Sequence, residues 1–441
     1  MNRCFRLLLI ALVFSGFRAT TIKAEENAAD KTVVMASKPL TLGECYHLAL
    51  VQSEFIAIDA DKIKEAQAHF LQALSIMMPH VAFFGQQDWE DTSSLGPSSG
   101  VAARSVENRF NFTQTLFSGF KAFGAMKGSG LEKEQREKEK RRAEELLLAD
   151  VSDSFYLFIQ VREDLKSYQN IHKVLVDRIK ELDERERLGK SRPSEVVTTR
   201  SQLYSVEADM ELAKGNLELA RQILEFLTGT DISDCVDSAK DELPTVGEKD
   251  SYISKATGRS DVIATQKAWG VAKQNIGVQE SGYLPEVTTE GNYYTRRPSY
   301  IRKDQWDIYL RVKIPIFEGT EVFGAVKEAR LQAHEAELEF QHTKRQAFLD
   351  IRDAYVRIET ALPRTLALKK ALEEAEKSYE LQKDEYKMNL VNNLEVLDAI
   401  RTLEDTRRTF IAAFYETKRY FWQLKVAVGQ IAEDELRNET V

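Results

Sequence analysis

The sequence predicts a mainly α chain that carries four short strands, built from one helix-strand-strand-helix-helix unit used twice. Three observations lead there. The 441 residues include only 9 Pro and 21 Gly against 30% charged residues, a composition suited to very long helices and poor in the turn residues that a compact globule needs. Pro39, Pro79, Pro193, Pro244, Pro285 and Pro315 fall at the boundaries of periodic segments, where a ring without a donor ends an element. At an ungapped offset of 200, Phe117, Gly119, Phe123, Gly124, Ala125, Lys127 and Leu131 meet Phe317, Gly319, Phe323, Gly324, Ala325, Lys327 and Leu331. Farther on, Asp150, Asp153, Glu195, Val196, Leu203, Ala213 and Gly229 meet Asp350, Asp353, Glu395, Val396, Leu403, Ala413 and Gly429. A duplicated unit of about 200 residues is far longer than a solenoid repeat.

In order along the chain, residues 1–24 read as a secretory signal, with Arg3 and Arg6 ahead of the apolar run Leu7 to Phe14 and Ala24 as a cleavage point. A linker at 25–38 follows. Repeat 1, 39–230, opens with a helix from Thr41 to Met78 and continues through strands at about 81–90 and 107–117, joined by the polar loop Asp91 to Gly100. It returns through a long helix at 119–188 and a shorter one from Ser194 to Thr228. After a linker at 231–249, repeat 2 (250–430) has a helix from Asp250 to Tyr283 and strands at about 286–296 and 306–316 around the loop Arg296 to Asp304. A long helix at 319–388 and a helix from Asn392 to Val428 complete it, and 431–441 is a tail.

Within the first long helix Leu147, Val151, Ser154, Phe158, Val161, Leu165, Tyr168, His172, Leu175, Ile179 and Leu182 recur at steps of three and four, the spacing of a coiled-coil seam. The copy runs from Ala347 and Ile351 to Tyr379 and Gln382. His172 fits a polar residue in that seam better than a ligand. Pro363 lies beside the second seam and is expected to kink or break its helix. At 1.5 Å per residue each long helix spans about 105 Å, and the two short helices of each half sum to about the same. Each half therefore reads as one long helix antiparallel to two stacked short ones.

Loss of the signal takes four basic residues (Arg3, Arg6, Arg18, Lys23) and no acid, deepening the net charge from −9 to −13. Such a surface disfavours nucleic acid as a partner. Cys4 goes with the signal, and no lipid-attachment motif precedes any cysteine, so no lipid anchor is expected. Cys45 and Cys235 remain, in a chain bound for a compartment where disulfides persist. A Cys45–Cys235 disulfide and two free buried thiols are both open readings.

The strands set the environment. Trp306, Ile308, Leu310, Val312 and Ile314 alternate with Asp307, Tyr309, Arg311 and Lys313, and Phe110, Phe112 and Leu116 oppose Arg109, Asn111, Thr113 and Thr115. One face calls for hydrocarbon, the other for water. No stretch after the signal is apolar enough for a membrane helix. Four strands cannot close a barrel, for which about eight is the minimum, so a membrane-spanning chain must oligomerise, two, three or four copies supplying 8, 12 or 16 strands.

Chemistry-bearing motifs are weak. Gly189-Lys190-Ser191 resembles the end of a phosphate loop, but Glu184 stands where glycine is required and a helix precedes it. Glu44 with His47 and Glu339 with His342 have di-iron spacing but lack the two further inward Glu residues of such a site. No catalytic residue, cofactor or metal site is nominated, and an enzyme is not expected. The rival readings are a soluble periplasmic coiled-coil scaffold or adaptor and a di-iron helical-bundle enzyme.

The arrangement resembles the TolC-like outer membrane efflux protein family over essentially the whole mature chain. The resemblance rests on Leu40-Thr41-Leu42 with Glu44 and Ala49-Leu50, on the helix exits at Pro79 and Pro285, and on Leu116-Phe117-Ser118-Gly119 and Ile314-Pro315-Ile316-Phe317-Glu318-Gly319 where strands return to helices. Leu394-Glu395-Val396-Leu397-Asp398-Ala399 matches the family's motif after its second tip turn. The resemblance implies a homotrimer with a 12-stranded outer-membrane barrel continued by a long periplasmic α-helical barrel. It further implies an exit duct for a tripartite efflux pump or type I secretion system, exporting small toxic compounds or polypeptides, with a periplasmic adaptor (membrane fusion) protein and an inner-membrane transporter as partners. The turns at Gly189 to Pro193 and Asn389 to Asn393 would then form the periplasmic tip. Glu395 and Asp398 align with acidic gate positions, and Glu195 is their counterpart in the first repeat. Three copies of each carboxylate near one axis would favour cations. The chain departs from the family at Asn389, often glycine, and at Val391, which provides no basic partner for a tip salt bridge.

Overall fold

The computed structural model of the chain describes residues 39–89, 104–235, 242–297 and 304–430. The signal, the 25–38 linker, the loop Asp91 to Gly100, most of the loop Arg296 to Asp304, part of the inter-repeat linker and the tail lie outside the described residues. The elements are α1 (Leu42–Gln52), α2 (Glu54–Ser75), β1 (His80–Trp89), β2 (Arg104–Ser118), α3 (Lys121–Arg187) and α4 (Pro193–Thr228), then α5 (Lys249–Ile253), α6 (Ser260–Glu280), β3 (Glu286–Arg296), β4 (Trp306–Lys313), α7 (Glu321–Lys387) and α8 (Asn393–Ala427).

Both opening helices are interrupted where the sequence predicts one continuous element. Thr41 starts α1 with a capping box, its hydroxyl accepting from the Glu44 N–H at 3.3 Å while the Glu44 carboxylate accepts from the Thr41 N–H at 2.8 Å. Ser53 then leaves the helical region (φ −65°, ψ 113°) and its Oγ caps α2 by accepting from the Ile56 N–H. Arg259 makes the matching break before α6 (φ −65°, ψ 141°). β4 ends at Lys313, short of 316, because Pro315 has no N–H for the ladder. Gly119 and Gly319 turn strand into helix at φ 60° and 66°, and a Cβ on Gly119 would lie 2.7 Å from the Ser281 carbonyl oxygen.

Helix α3 lies between two stacks, α2 and α4 on one side and α6 and α8 on the other, and α7 packs against α6 and α8. The heptad seam is what this packing buries. Val151, Phe158, Leu175 and Leu182 of α3, and Ala347, Ile351, Ala354, Ile358 and Ala361 of α7, are all buried. His172 stays part-exposed and pairs with Glu207 at 3.2 Å. Pro363 does not break α7, which runs unbroken from Glu321 to Lys387. Pro363 and Glu359, whose carbonyl loses its usual donor, are both exposed, so water satisfies that oxygen.

All four strands form one antiparallel sheet in the order β1-β2-β3-β4. Its register aligns Val81, Phe112, Gly291 and Ile308 in one row and Phe83, Phe110, Tyr293 and Trp306 in the next, all on one face. On the opposite face Asn111 donates to Glu290 (3.0 Å) and Asn292 (2.9 Å), and Asn292 donates to Asp307 (2.9 Å). The apolar face is bare: Ile308 and Leu310 are each 68% exposed. No described helix is long and apolar enough to cross a membrane.

Where α8 ends, buried ions join it to α3, α6 and α7. Glu145, fully buried, accepts from Arg142 (2.9 Å) and from Ser260 Oγ (2.6 Å), while Arg142 also donates to the Val426 carbonyl (2.8 Å). Arg259 donates to Asp350 (2.9 Å), Asp261 (2.7 Å) and the Ala427 carbonyl (3.3 Å). Arg259 thus satisfies the Ala427 carbonyl, and Arg142 adds a second donor to the Val426 carbonyl, which also accepts from the Gly429 N–H (3.0 Å). Replacing Glu145 by Ala leaves the part-buried Arg142 with only the longer ionic contact to Asp261 (3.8 Å), an expected loss of about 3 kcal/mol read as a lower urea midpoint; a midpoint unchanged from wild type would contradict this account.

Candidate functional site at the helical tip

Two helical turns close the end of the helices away from the sheet. At the first, Gly189 adopts φ 71°, its N–H donating to the Glu186 carbonyl, and Lys190 N–H reaches back to Arg185 (2.8 Å). At the second, Asn389 adopts φ 57°, with Asn389 N–H on Tyr386 (3.0 Å) and Leu390 N–H on Glu385 (2.9 Å). Both are left-handed helix terminations, and asparagine is the non-glycine residue that best tolerates that region. Pro193 then opens α4 at its first turn, where a missing donor costs nothing, and Asn392 opens α8 by accepting from the Leu394 and Glu395 N–H groups.

The two hairpins are latched to each other by side chains of α3 and α7. Arg178, almost wholly buried, donates from Nε (3.1 Å) and Nη2 (3.0 Å) to Asn393 Oδ1, and Asn393 Nδ2 donates to Thr199 Oγ1 (3.1 Å). Tyr386 lies between two guanidinium groups, with Arg178 Cζ 3.7 Å and Arg185 Cζ 4.4 Å from its ring centre. Its hydroxyl donates to Glu195 (3.2 Å), and Arg185 also donates to Asn389 Oδ1. Burial, ahead of every charge around it, pushes the Tyr386 hydroxyl pKa up, so it stays a donor.

The latch sorts the acidic residues. Glu195 is turned inward, held by Tyr386 and by Ser191 Oγ (2.7 Å). Glu395 and Asp398 are exposed on one face of α8, and Glu395 accepts from the Asn392 N–H (2.7 Å) in a capping box. Cys45 and Cys235 are distant from the tip, in the core cluster around Phe155 and Leu224, and are both thiols. Glu44 is committed to its cap, and no three metal-ligating side chains gather among the described residues.

A family model described as "Outer membrane efflux protein" matches residues 45–230 and 254–430. The chain belongs to the outer membrane efflux protein family. It is 22% identical to the outer membrane protein TolC of Vibrio cholerae, over 74% of this chain and 77% of that protein. It is likewise 22% identical to the cation efflux system protein CusC of Escherichia coli K12, over 86% and 84%. Among solved structures, CusC superposes with a TM-score of 0.76 at 19% identity, covering 88% of this chain and 91% of that one. VceC of Vibrio cholerae gives 0.75 at 18%, covering 88% and 96%. The fold is thus an α-helical barrel with a β-barrel, and the protein resides in the outer membrane.

For this efflux-family chain the tip turns were legible in the sequence and the latch was not. Arg178, Arg185, Thr199 and Tyr386 belong to no motif. A signal was present in the repeat: at the offset of 200 they face Ser378, Glu385, Ala399 and Glu186, so the latch sits where the two copies disagree. Val391 indeed offers no cation; α3 supplies two instead.

Farther from the tip, α3 and α8 meet again through charges. Arg408 donates to the Tyr168 hydroxyl and to Asp405 (2.8 Å), beside Asp164 and Glu404. Burial raises Asp164 to about 6, with Arg408 and Gln160 pulling it down and Glu163 pushing it up. Burial also raises Glu404 to about 6, against the pull of Arg408 and with the push of Asp405 and of Asp209 from α4.

Arg178→Ala should lower hydrogen-exchange protection of the α7–α8 turn by about tenfold to a hundredfold, the worth of a hydrogen bond to a charged group. Protection equal to wild type would show that the latch is not what holds the turn. For Asp164 and Glu404 the folded pKa exceeds the ordinary 3.8 and 4.5, so the folded state binds more protons. Their contribution is most favourable below the ordinary values and is lost as pH rises through about 6. The urea midpoint should fall across that window in wild type and fall less in Asp164→Asn/Glu404→Gln; equal slopes would reject the assignment.

Proposed function

We propose that three copies of this chain form the exit duct of an export machine spanning the cell envelope, either a tripartite efflux pump or a type I secretion system. The observation that carries this reading is the sheet, whose apolar face is bare and whose outer strands β1 and β4 have no strand partner among the described residues. In lipid such edges must be paired, and three four-stranded sheets joined edge to edge make a closed barrel of 12 strands. The helices support the same assembly. Val197, Tyr204, Leu212, Leu219 and Phe226 on α4 are exposed, as are Leu331, Leu338, Leu349 and Val356 on α7. These helices lie at opposite edges of the helical layer, so α7 of one copy meets α2 and α4 of the next.

In this duct the tip turns form the periplasmic entrance, and a periplasmic adaptor with its inner-membrane transporter docks there. Glu395 and Asp398, repeated three times around one axis, set a negative potential that prefers cations. Glu195 belongs to the latch and acts on the aperture through Tyr386. The cargo is small toxic compounds or polypeptides; among relatives, CusC is named for cation efflux. A soluble scaffold has no use for the bare sheet face.

Conductance in planar bilayers tests the reading. Purified protein should form channels selective for cations, Glu395→Gln/Asp398→Asn should abolish that selectivity, and Arg178→Ala/Tyr386→Phe should raise resting conductance several-fold. Absence of channels would refute the duct, and unchanged selectivity or conductance in the variants would refute the gate.

A further inference from the structure

Cys45 lies in the second turn of α1 and Cys235 lies seven residues beyond the end of α4, yet they occupy one place in the fold. Leu40 pairs with Cys235 in a parallel bridge, and Leu40 N–H donates to the Asp234 carbonyl (3.0 Å). From α3, Arg162 donates to the Cys235 carbonyl (2.7 Å) and to the Asp234 carboxylate, which also accepts from the Cys235 N–H (2.8 Å). Cys235 is therefore fixed by backbone and ionic contacts, and Cys45 by the helix it belongs to, its N–H donating to the Thr41 carbonyl (3.0 Å). Both thiols are 0% exposed and interact within one buried core cluster. Of the three cysteines in the sequence, these are the two that lie beyond the signal.

We propose that Cys45 and Cys235 form a disulfide in the exported protein, made while the chain folds. The reaction is an exchange with an exposed disulfide of a thiol oxidase. One cysteine, as thiolate, attacks that disulfide and releases one oxidant thiolate. The other cysteine then attacks the mixed disulfide, forming the Cys45–Cys235 bond and releasing the second. Two protein thiols are oxidised, one oxidant disulfide is reduced to two thiols, and the two protons pass through water to the leaving sulfurs. The step belongs before burial is complete. In the finished fold the interaction with Cys45, and then burial, push the Cys235 thiol up, so the attacking thiolate is not available. The outer-membrane location takes the chain through a compartment where such bonds are made and kept. The bond closes the loop from 45 to 235, which contains β1, β2, α2, α3 and α4.

Full-length protein extracted from outer membranes is unfolded in denaturant with a maleimide and no reductant, then digested for mass spectrometry. The expected result is a peptide linking Cys45 to Cys235 and no maleimide on either residue, with both labelled once reductant is added. Incubating the native protein with reductant before unfolding should leave the link in place, because the sulfurs are sealed. In Cys45→Ser, Cys235 should take the label without reductant. Labelling of both cysteines in the unreduced wild type, or a link from either one to another chain, overturns the proposal.

Discussion

A four-stranded sheet with one greasy face and two open edges has no stable home as a single copy. In water the apolar rows through Val81, Phe112 and Ile308 stay exposed; in lipid the edge N–H and C=O groups of β1 and β4 go unpaired, each at a cost of several kcal/mol. Edge-to-edge joining relieves both problems at once, and it dictates much of the rest. Each chain must bring the same wedge of wall, so the helices that continue from the strands are committed to the same circle. The exposed stripes on α4 and α7 are the consequence of that commitment at the helical level. The polar face of the sheet, bonded across strands from Asn111 to Asn292 to Asp307, is the matching interior.

Duplication supplies the two helical hairpins of that wall, and its imperfection makes them unequal. α3 lies between two stacks, whereas α7 borders one. Latch cations therefore come from α3 and latch amides from the second hairpin, Asn389 and Asn393. Asn389 serves two ends: it tolerates the left-handed turn nearly as glycine would, and its side chain accepts from Arg185 where glycine has nothing to offer. The departure from the family pattern at this residue thus accompanies the absence of a cation at 391.

What was legible in the sequence was whatever depends on neighbours along the chain. Heptad spacing gave α3 and α7, period-two alternation gave the strands, and proline with glycine gave the turns, because each pattern is a local periodicity with one structural solution. The breaks at Ser53 and Arg259 interrupt no periodicity in the sequence, and each lies against the end of another helix. A Cβ on Gly229 would strike the Gln52 side chain, and one on Gly429 would crowd Arg259. The latch escaped for the same reason, as Arg178 and Asn393 are 215 residues apart. Glu395 and Asp398, the acids proposed for the gate, stand out by motif, and Glu195 by the repeat. That Glu195 alone turns inward follows from Tyr386, which has no counterpart in the first hairpin.

The two places where short helices abut also diverged, and the divergence bears on movement. In repeat 1 the end of α4 is satisfied locally: Gly229 N–H donates to Glu225 and the Ile232 N–H donates to the Glu225 carboxylate (3.0 Å), beside the apolar cluster that holds Cys45 and Cys235. In repeat 2 the end of α8 is likewise closed by Gly429 N–H on Val426 (3.0 Å) and Gln430 N–H on Lys425 (3.1 Å), and is held in addition by Arg142 and Arg259, which carry Glu145, Asp261 and Asp350 with them. A buried ion cluster resists partial opening, because separating one partner strands a charge in a low-dielectric interior. At its other end α8 is held by Asn393, a neutral acceptor for the charged Arg178, and a bond with one ionised partner is a weaker hold than a cluster of opposite charges. A helix fixed by ions at one end and by amides at the other gives way first at the amides. In the duct proposed above that is the end where the passage opens.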